Sequence, residues 1–170
     1  MNDKMPGLSS KEIEVVSYLE LNSKYLFKMA DIEPFFKTVN EMRVYIHRLK
    51  KKGRIIKLNK SKYYLIPIKA YKGHWSEHPF IVIDEIFNGK DYYIGGLAAA
   101  HYWGLIEQIP TQIEVYTNKK QGQRKIFNFT ILYRRIRQKS MKGYITQRIK
   151  EHPFKIASKE TSEKWLRSRE

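Results

Sequence analysis

Apolar residues in the N-terminal part of the chain recur at helical spacing. Ser9 begins a Ser-x-x-Glu capping box, and the apolar residues after it predict a helix that ends near Leu21–Ser23. Tyr25–Phe27 predicts a short extended link that packs inward, and Met29–Phe36 predicts a second, short helix. This region is therefore expected to contain two helices joined by an extended link.

A second capping box, which begins at Thr38, starts the clearest helical pattern in the chain. One stripe of the predicted helix is apolar and consists of Val39, Met42, Ile46 and Leu49. The opposite face carries Asn40, Arg43, His47, Lys50 and Lys51. Gly53 is placed to end the helix as its C′ residue. The pattern predicts one amphipathic helix over about Thr38–Lys52.

Two β-prone runs follow this helix. Ile55–Leu58 and Tyr63–Ile66 flank the polar turn Asn59–Lys62, which predicts a hairpin. Helix, helix, capped helix and hairpin is the order of elements in a winged helix-turn-helix domain, in which the capped helix enters the major groove of DNA. We therefore expect residues 1–70 to form a winged helix-turn-helix DNA-binding domain.

The C-terminal part of the chain mixes strands and helices without a regular βαβ alternation. After a connection at Ile68–His78, the segment Phe80–Phe87 fits a short helix or a strand, and Leu97–Leu105 and Ser158–Ser168 favour helices. Predicted strands lie at Asp91–Ile94, Gln112–Thr117, Ile126–Ile136, Ile145–Ile149 and Phe154–Ile156. The prediction for residues 77–170 is a small mixed α+β domain, which makes the whole chain α+β.

Charge changes this picture by suggesting a partner. The 170-residue chain has a net charge of +16, and Met42–Ser76 holds eleven Lys and Arg but no acidic residue. Nucleic acid is the leading candidate partner, with an anionic membrane surface second. No apolar run is long enough to span a membrane and no signal peptide is evident, so we expect a cytoplasmic protein that does not enter membranes. The absence of cysteine excludes disulfides and thiolate metal sites.

The predicted capped helix and hairpin supply the candidate DNA contacts. Asn40, Arg43 and His47 are the candidates for base edges, because Asn and Arg form bidentate hydrogen bonds with adenine and guanine. Phosphate contacts are expected from the cations around them, which position the protein and make affinity salt-dependent. The full predicted set is Thr38, Asn40, Arg43, His47, Arg48, Lys50, Lys51, Lys52, Arg54, Lys57, Lys60 and Lys62.

A second basic patch follows the predicted strand Ile126–Ile136. Its members are Arg134, Arg135, Arg137, Lys139 and Lys142. Two functions fit this composition: an extension of the nucleic-acid surface, or a contact with an acidic protein partner.

Signals for catalysis are weak. Asp84, Glu85 and Glu114 are the carboxylates that a metal-dependent nuclease would need, but the position two residues after Glu114 is Tyr116 and not Lys. The histidines do not cluster in the sequence, and no nucleophile has a matched base. Gly95-Gly96 fits either a phosphate-binding turn or an ordinary strand-to-helix turn. We predict no catalytic residue, no metal site, no cofactor and no enzymatic activity.

The stretch Tyr92–Leu105, which contains Gly-Gly-Leu-Ala-Ala-Ala-His-Tyr-Trp-Gly-Leu, resembles the AbiEi-type antitoxins of abortive-infection toxin–antitoxin systems. Glu107–Pro110, the strand Ile113–Tyr116 and the Arg48–Gly53 pattern before the hairpin extend the resemblance over roughly residues 8–160. In place of the glycine that is usual between the wing strands, this chain has Asn59-Lys60-Ser61-Lys62.

The resemblance implies a sequence-specific, double-stranded DNA-binding autorepressor that occupies the operator of its own toxin–antitoxin operon. It also implies a C-terminal region that opposes a nucleotidyltransferase-like toxin. Family members continue beyond the segment like Lys155–Glu160, so we expect this region to be truncated here. The alternatives are a protein-interaction module that binds the toxin and a metal-dependent nuclease. Regulators of this kind often dimerise on repeated sites, but the sequence contains no heptad seam, so a homodimer on repeats is left as an open alternative.

Overall fold

The computed structural model describes residues 7–67, 70 and 77–169. It divides the chain into two compact units, Met1–Ser76 and Glu77–Glu170, which we call unit 1 and unit 2. Each unit contains helices and its own sheet, so the predicted α+β class is confirmed. Most of the predicted connection Ile68–His78 lies outside the described residues. Within the described ranges, no helix has the length and apolar character needed to cross a membrane.

Two capped helices form the helical part of unit 1. Helix α1 spans Ser10–Leu21, and its capping box is complete: the Ser9 side chain accepts from the Glu12 amide, and the Glu12 carboxylate accepts from the Ser9 amide. Helix α2 spans Val39–Lys51, with Thr38 as its N-cap. Both helix starts agree with the prediction, because capping depends on residues that are close in sequence.

Helix α2 ends in a Schellman motif. The amide of Arg54 donates to the carbonyl of Leu49, and the amide of Gly53 donates to the carbonyl of Lys50. Gly53 adopts a φ of +68°, a conformation that glycine reaches without a steric penalty. The predicted C′ role of Gly53 is confirmed.

A three-stranded antiparallel sheet completes unit 1. Strands β1 (Leu26–Lys28), β2 (Ile55–Lys57) and β3 (Lys62–Leu65) are arranged in the order β1-β3-β2. One hydrophobic core joins the inner faces of the helices to this sheet, and its members include Val16, Leu19, Phe27, Ile32, Met42, Ile46, Leu49 and Leu65.

Two predictions for unit 1 are wrong in detail. The segment Met29–Phe36 forms two single-turn 3₁₀ helices, Met29–Asp31 and Glu33–Phe35, instead of one α-helix. Pro34 lacks the amide proton that a continuous helix would use. Val39 belongs to the predicted apolar stripe of α2, but it is 48% exposed, and its neighbours Thr38 and Asn40 at this end of the helix are exposed as well.

Unit 2 is built on a mixed six-stranded sheet. Its strands are β4 (Tyr92–Gly95), β5 (Gln112–Thr117), β6 (Gly122–Ile126), β7 (Phe129–Arg135), β8 (Tyr144–Ile149) and β9 (His152–Ala157). Their order is β6-β7-β5-β4-β9-β8. The β5–β7 and β4–β9 pairs are parallel, and the other neighbours are antiparallel.

Three helices accompany this sheet: α3 (Pro79–Phe87), α4 (Gly96–Tyr102) and α5 (Lys159–Arg167). The segment that fitted either a helix or a strand is therefore helix α3. Its core side chains Val82 and Ile83 are fully buried, as are Ile94 and Phe154 of the sheet.

The long strand predicted at Ile126–Ile136 is wrong, because the chain turns sharply within it. Ile126 ends β6 and Phe129 begins β7, and these two residues pair directly across the turn. Phe127, at the turn, has a φ of +52°, which is rare for a residue with a side chain. The apolar pattern continues through this turn, so periodicity alone does not reveal it.

Candidate nucleic-acid interface

The solvent-facing side of α2 carries the side chains that were predicted to read bases. Asn40, Arg43 and His47 are all exposed and follow one another at steps of three and four residues. Val44 lies beside them and is 47% exposed, a position that no polar or charged pattern in the sequence indicates. An exposed methyl group on such a face suits contact with the methyl group of thymine.

The last turns of α2 are strongly cationic. Arg48, Lys50 and Lys51 are exposed. The Arg48 guanidinium lies over the Tyr45 ring at 5.4 Å from its centroid, and the Tyr45 ring is in turn 5.2 Å from that of Phe36. This aromatic support holds the Arg48 charge above the surface of the helix.

The turn between β2 and β3 is organised by Asn59. Its side-chain oxygen accepts hydrogen bonds from the amides of Ser61 and Lys62 at 2.9 and 3.0 Å. These bonds explain how the turn forms without glycine, since an Asn side chain can substitute for a backbone acceptor. Lys60 is exposed at the tip of the turn.

Strand β1 adds a further cation to the three-stranded sheet of unit 1, outside the predicted set of DNA contacts. Lys28 is exposed and lies directly opposite Lys62 in the β1–β3 register. Lys57 is exposed on β2, the strand on the other side of β3. Each of the three strands therefore carries a lysine, with Lys28 and Lys62 on one face of the sheet and Lys57, which pairs with Tyr63, on the other.

Two members of the predicted DNA-binding set do not fit that function. Arg54 is 6% exposed, so its side chain is not available to a phosphate. Lys52 points inward: its ammonium group donates to the Glu12 carboxylate at 2.6 Å and to the Gly7 carbonyl at 2.8 Å. Both residues were assigned from a run of positive charge, which does not reveal the direction of a side chain.

The Lys52–Glu12 pair joins the end of α2 to the start of α1. The Glu12 side chain is only 1% exposed. Burial opposes ionisation of this carboxyl group, but hydrogen bonds from Lys52 and Ser9 outweigh it, so the pKa of Glu12 lies below its usual value. Lys52 therefore stabilises unit 1.

In unit 2 the second basic patch is exposed but spread over several elements. Arg135 and Arg137 line an open depression of about 500 Å³, together with Asn118, Gln121, Ile136 and Gln138. Lys139 lies in the following 3₁₀ turn, and Lys142 is exposed beyond it. The Arg134 side chain makes a 3.4 Å contact with the carboxylate of Glu114, which reduces the free positive charge of the patch.

Close packing explains why glycine, which has no side chain, occupies positions 95 and 96. A side chain at Gly95 would meet the Tyr116 ring, and one at Gly96 would meet the Glu114 side chain at 2.9 Å. Gly96 also has a φ of +60°. These contacts favour the strand-to-helix turn over the phosphate-binding alternative.

The carboxylates considered for a nuclease do not come together as one set. Glu114 accepts a hydrogen bond from the Tyr116 hydroxyl at 3.1 Å and contacts Arg134. Asp84 and Glu85, at the end of α3, instead approach His152 at the start of β9. No local pattern in the sequence indicates this convergence, because 68 positions separate Asp84 from His152.

Comparison with known proteins gives a likeness of fold. No protein-family model matches the chain, and no curated protein matches it. A crystal structure of the RV2827C protein from Mycobacterium tuberculosis is similar over 79% of this chain, with a TM-score of 0.51 and 14% sequence identity. The chain spans about half, 48%, of the length of that protein. At this level of identity, the similarity shows a shared fold alone.

Proposed function

We propose that the protein is a sequence-specific, double-stranded DNA-binding transcriptional regulator of AbiEi type, and that unit 1 acts as its winged helix-turn-helix domain. One observation carries the proposal. A single exposed helix face combines hydrogen-bonding side chains at Asn40, Arg43 and His47 with a cationic C-terminal end. Such a face offers both of the contacts that specific DNA binding needs, to base edges and to phosphates.

The geometry of α2 suits the major groove. Asn40, Arg43 and His47 lie in one row along a helix of 13 residues, and an α-helix fits the width of that groove. Helix α2 packs against β2, so the basic hairpin adjoins the proposed reading helix. In this proposal the lysines at 57, 60 and 62 contact the DNA backbone as a wing.

The proposal identifies the operator of the chain's own operon as the target and promoter occupancy as the mechanism. Arg48, Lys50 and Lys51 hold the phosphates on one side of the groove while the row from Asn40 to His47 reads bases. Arg54 and Lys52 are left out of the contact set because of their burial and pairing.

The test begins with selection of bound sites from genomic fragments, followed by a titration of the selected duplex by fluorescence anisotropy over a range of salt concentrations. Contact with about six to ten phosphates gives a log–log slope of roughly −5 to −9. A random duplex of equal length serves as control and is expected to bind at least about a thousandfold more weakly. A nearly flat salt response, or equal affinity for both duplexes, would contradict the proposal.

A second candidate function is a protein-interaction module in unit 2 that binds a nucleotidyltransferase-like toxin. It is favoured by an open depression of about 360 Å³, which is lined by five apolar side chains, Leu97, Leu105, Ile106, Trp165 and Leu166, and by Glu114 and Arg169. Leu97 is 43% exposed there, and exposed apolar surface is typical of binding sites for proteins.

Co-purification with the product of the neighbouring gene tests this candidate. Leu97→Asp should abolish capture of that product by charging the depression, and Leu21→Asp is the matched control, because Leu21 is exposed in unit 1. Equal capture by both variants would count against unit 2 as the binding region.

A further inference from the structure

Three side chains from two distant parts of the sequence converge in unit 2. Asp84 and Glu85 lie near the end of α3, and His152 is the first residue of β9. The His152 Nε2 atom is 3.0 Å from Asp84 Oδ2 and 3.7 Å from Glu85 Oε1. One potential ligand atom from each residue lies within 4.8 Å of the other two.

We propose that Asp84, Glu85 and His152 form a binding site for a divalent transition-metal ion of the zinc type, which ties α3 to β9. The inference is independent of DNA binding. It rests on the kind of ligand atoms, on the distances between them and on the hydrogen bonds that orient the Asp84 carboxylate.

The ligand atoms select a class of metal. One imidazole nitrogen and two carboxylate oxygens are ligands that Zn²⁺ accepts in proteins, with a water molecule completing its coordination. Mg²⁺ and Ca²⁺ prefer sites made only of oxygen. The mixed set in unit 2 therefore favours a borderline transition metal over either of these ions.

The two separations from His152 also fit a single ion. With metal–ligand bonds of about 2.1 Å, a separation of 3.0 Å corresponds to an angle of about 90° at the metal, and 3.7 Å to about 120°. Both angles are common in four- to six-coordinate sites. The ion would replace the present His152–Asp84 hydrogen bond, and a small inward rotation of the Glu85 carboxylate would complete the set.

A buried tyrosine orients the first ligand. The Tyr92 hydroxyl donates to Asp84 Oδ1 at 2.7 Å and accepts from the Lys155 amide at 3.0 Å. Tyr92 is fully buried, so this arrangement fixes the Asp84 carboxylate with its other oxygen, Oδ2, toward His152. Hydrogen bonds that hold a ligating carboxylate in this way are a regular feature of metal sites.

The three side chains are partly exposed, so a metal ion can reach them from solvent and bind at a site with a fixed backbone. The side chains of Asp84, Glu85 and His152 are 11%, 15% and 22% exposed. They are therefore accessible, but they belong to packed elements whose backbones are fixed. A metal at this point would link residues far apart in the sequence and stabilise unit 2 against unfolding.

The experiment measures Zn²⁺ binding to the full chain by competition with a chromophoric chelator, with thermal unfolding in parallel. We expect one Zn²⁺ per chain, no displacement by millimolar Mg²⁺, and a midpoint for unit 2 that rises by roughly 10 °C at about a hundred times the Kd. His152→Gln and Asp84→Asn should each weaken binding by more than about 100-fold, and Tyr92→Phe by about 10-fold, since outer partners alone contribute 10- to 100-fold.

Matched controls are His101→Gln and Glu107→Gln, which lie outside the cluster and should bind Zn²⁺ as the unaltered chain does. Circular dichroism without metal establishes that each variant folds. If Asp84→Asn fails to fold, the imidazole nitrogen signals of the unaltered chain provide the second measurement: Zn²⁺ should move those of His152 first. Equal Zn²⁺ affinity in the His152→Gln chain, or an unfolding midpoint that responds to neither Zn²⁺ nor a chelator, would overturn the proposal.

Discussion

The two basic regions of the chain have similar charge but different structure. In unit 1, most of the cations surround one exposed helix face that also carries Asn40 and His47. In unit 2, they come from the end of β7, a 3₁₀ turn and a loop, and Arg134 is drawn toward Glu114. Positive charge is compatible with a nucleic-acid partner in both places, but of the two regions the helix alone offers the rigid row of hydrogen-bonding groups that the proposed groove contact needs.

The largest predicted change is a loss of duplex affinity, and it should differ between the two basic regions. Replacing Arg48, Lys50 and Lys51 together by Gln removes three proposed phosphate contacts, each worth about tenfold near 0.1 M salt, so duplex affinity should fall by about 100- to 1,000-fold. The matched triple change at Arg135, Arg137 and Lys139 should lower it by less than about tenfold. Anisotropy titrations of both variants measure the difference, and losses of equal size would remove the distinction between the two regions.

The next prediction concerns stability and compares two neighbouring lysines at the end of α2 that have different roles. Lys52→Met leaves the buried Glu12 carboxylate without its partner and should lower the free energy of unfolding by about 3 kcal/mol. Lys51→Met changes an exposed side chain and should alter it by less than about 0.5 kcal/mol. Urea unfolding measures both, and an equal stability of the two variants would show that the Lys52–Glu12 contact is unimportant.

The same pair predicts a dependence on pH. Because the pKa of Glu12 is lowered in the folded protein, its contribution is complete above the ordinary glutamate pKa and is lost as the pH falls through the lowered value. Between neutral pH and that value, the unaltered chain should therefore lose more stability than Lys52→Met does. Parallel loss in both chains would contradict the assignment of the low pKa to this contact.

The smallest expected change in DNA affinity distinguishes base contacts from phosphate contacts. Arg43→Ala should reduce discrimination against a single substituted base pair by about 1–3 kcal/mol, because a bidentate contact with guanine is lost. Lys60→Ala should weaken specific and random duplexes alike and reduce the salt slope by about 0.9. Titrations with matched and mismatched duplexes measure both quantities, and the same pattern in both variants would refute the division of roles.

Local signals in the sequence were sufficient for the elements that carry the proposed interface. The caps at Ser9 and Thr38 and the end at Gly53 depend on residues within a few positions of one another. The direction of individual side chains was not accessible in the same way. Lys51 and Lys52 are adjacent and chemically identical, and only the packing of α1 against the end of α2 makes one a surface cation and the other the partner of the buried Glu12 carboxylate.

Long-range pairing explains what the sequence analysis missed in unit 2. Apart from the buried Ile126 at its end, strand β6 is polar and largely exposed at the edge of the sheet, so it lacks the alternation that marks a half-buried strand. The Asp84–His152 contact requires β9 to pair with β4 from far along the chain. No periodicity within a short window contains that information.

The strand order of unit 2 has a consequence for its kinetics. Strand β4 pairs with β5 soon after it in the chain, whereas its other neighbour, β9, comes from much later. Since closing a long loop is slow, we expect β9 to dock late in folding. Contacts made only at that stage slow unfolding more than they speed folding, so a metal held by Asp84 and His152 would act mainly on the lifetime of the folded unit.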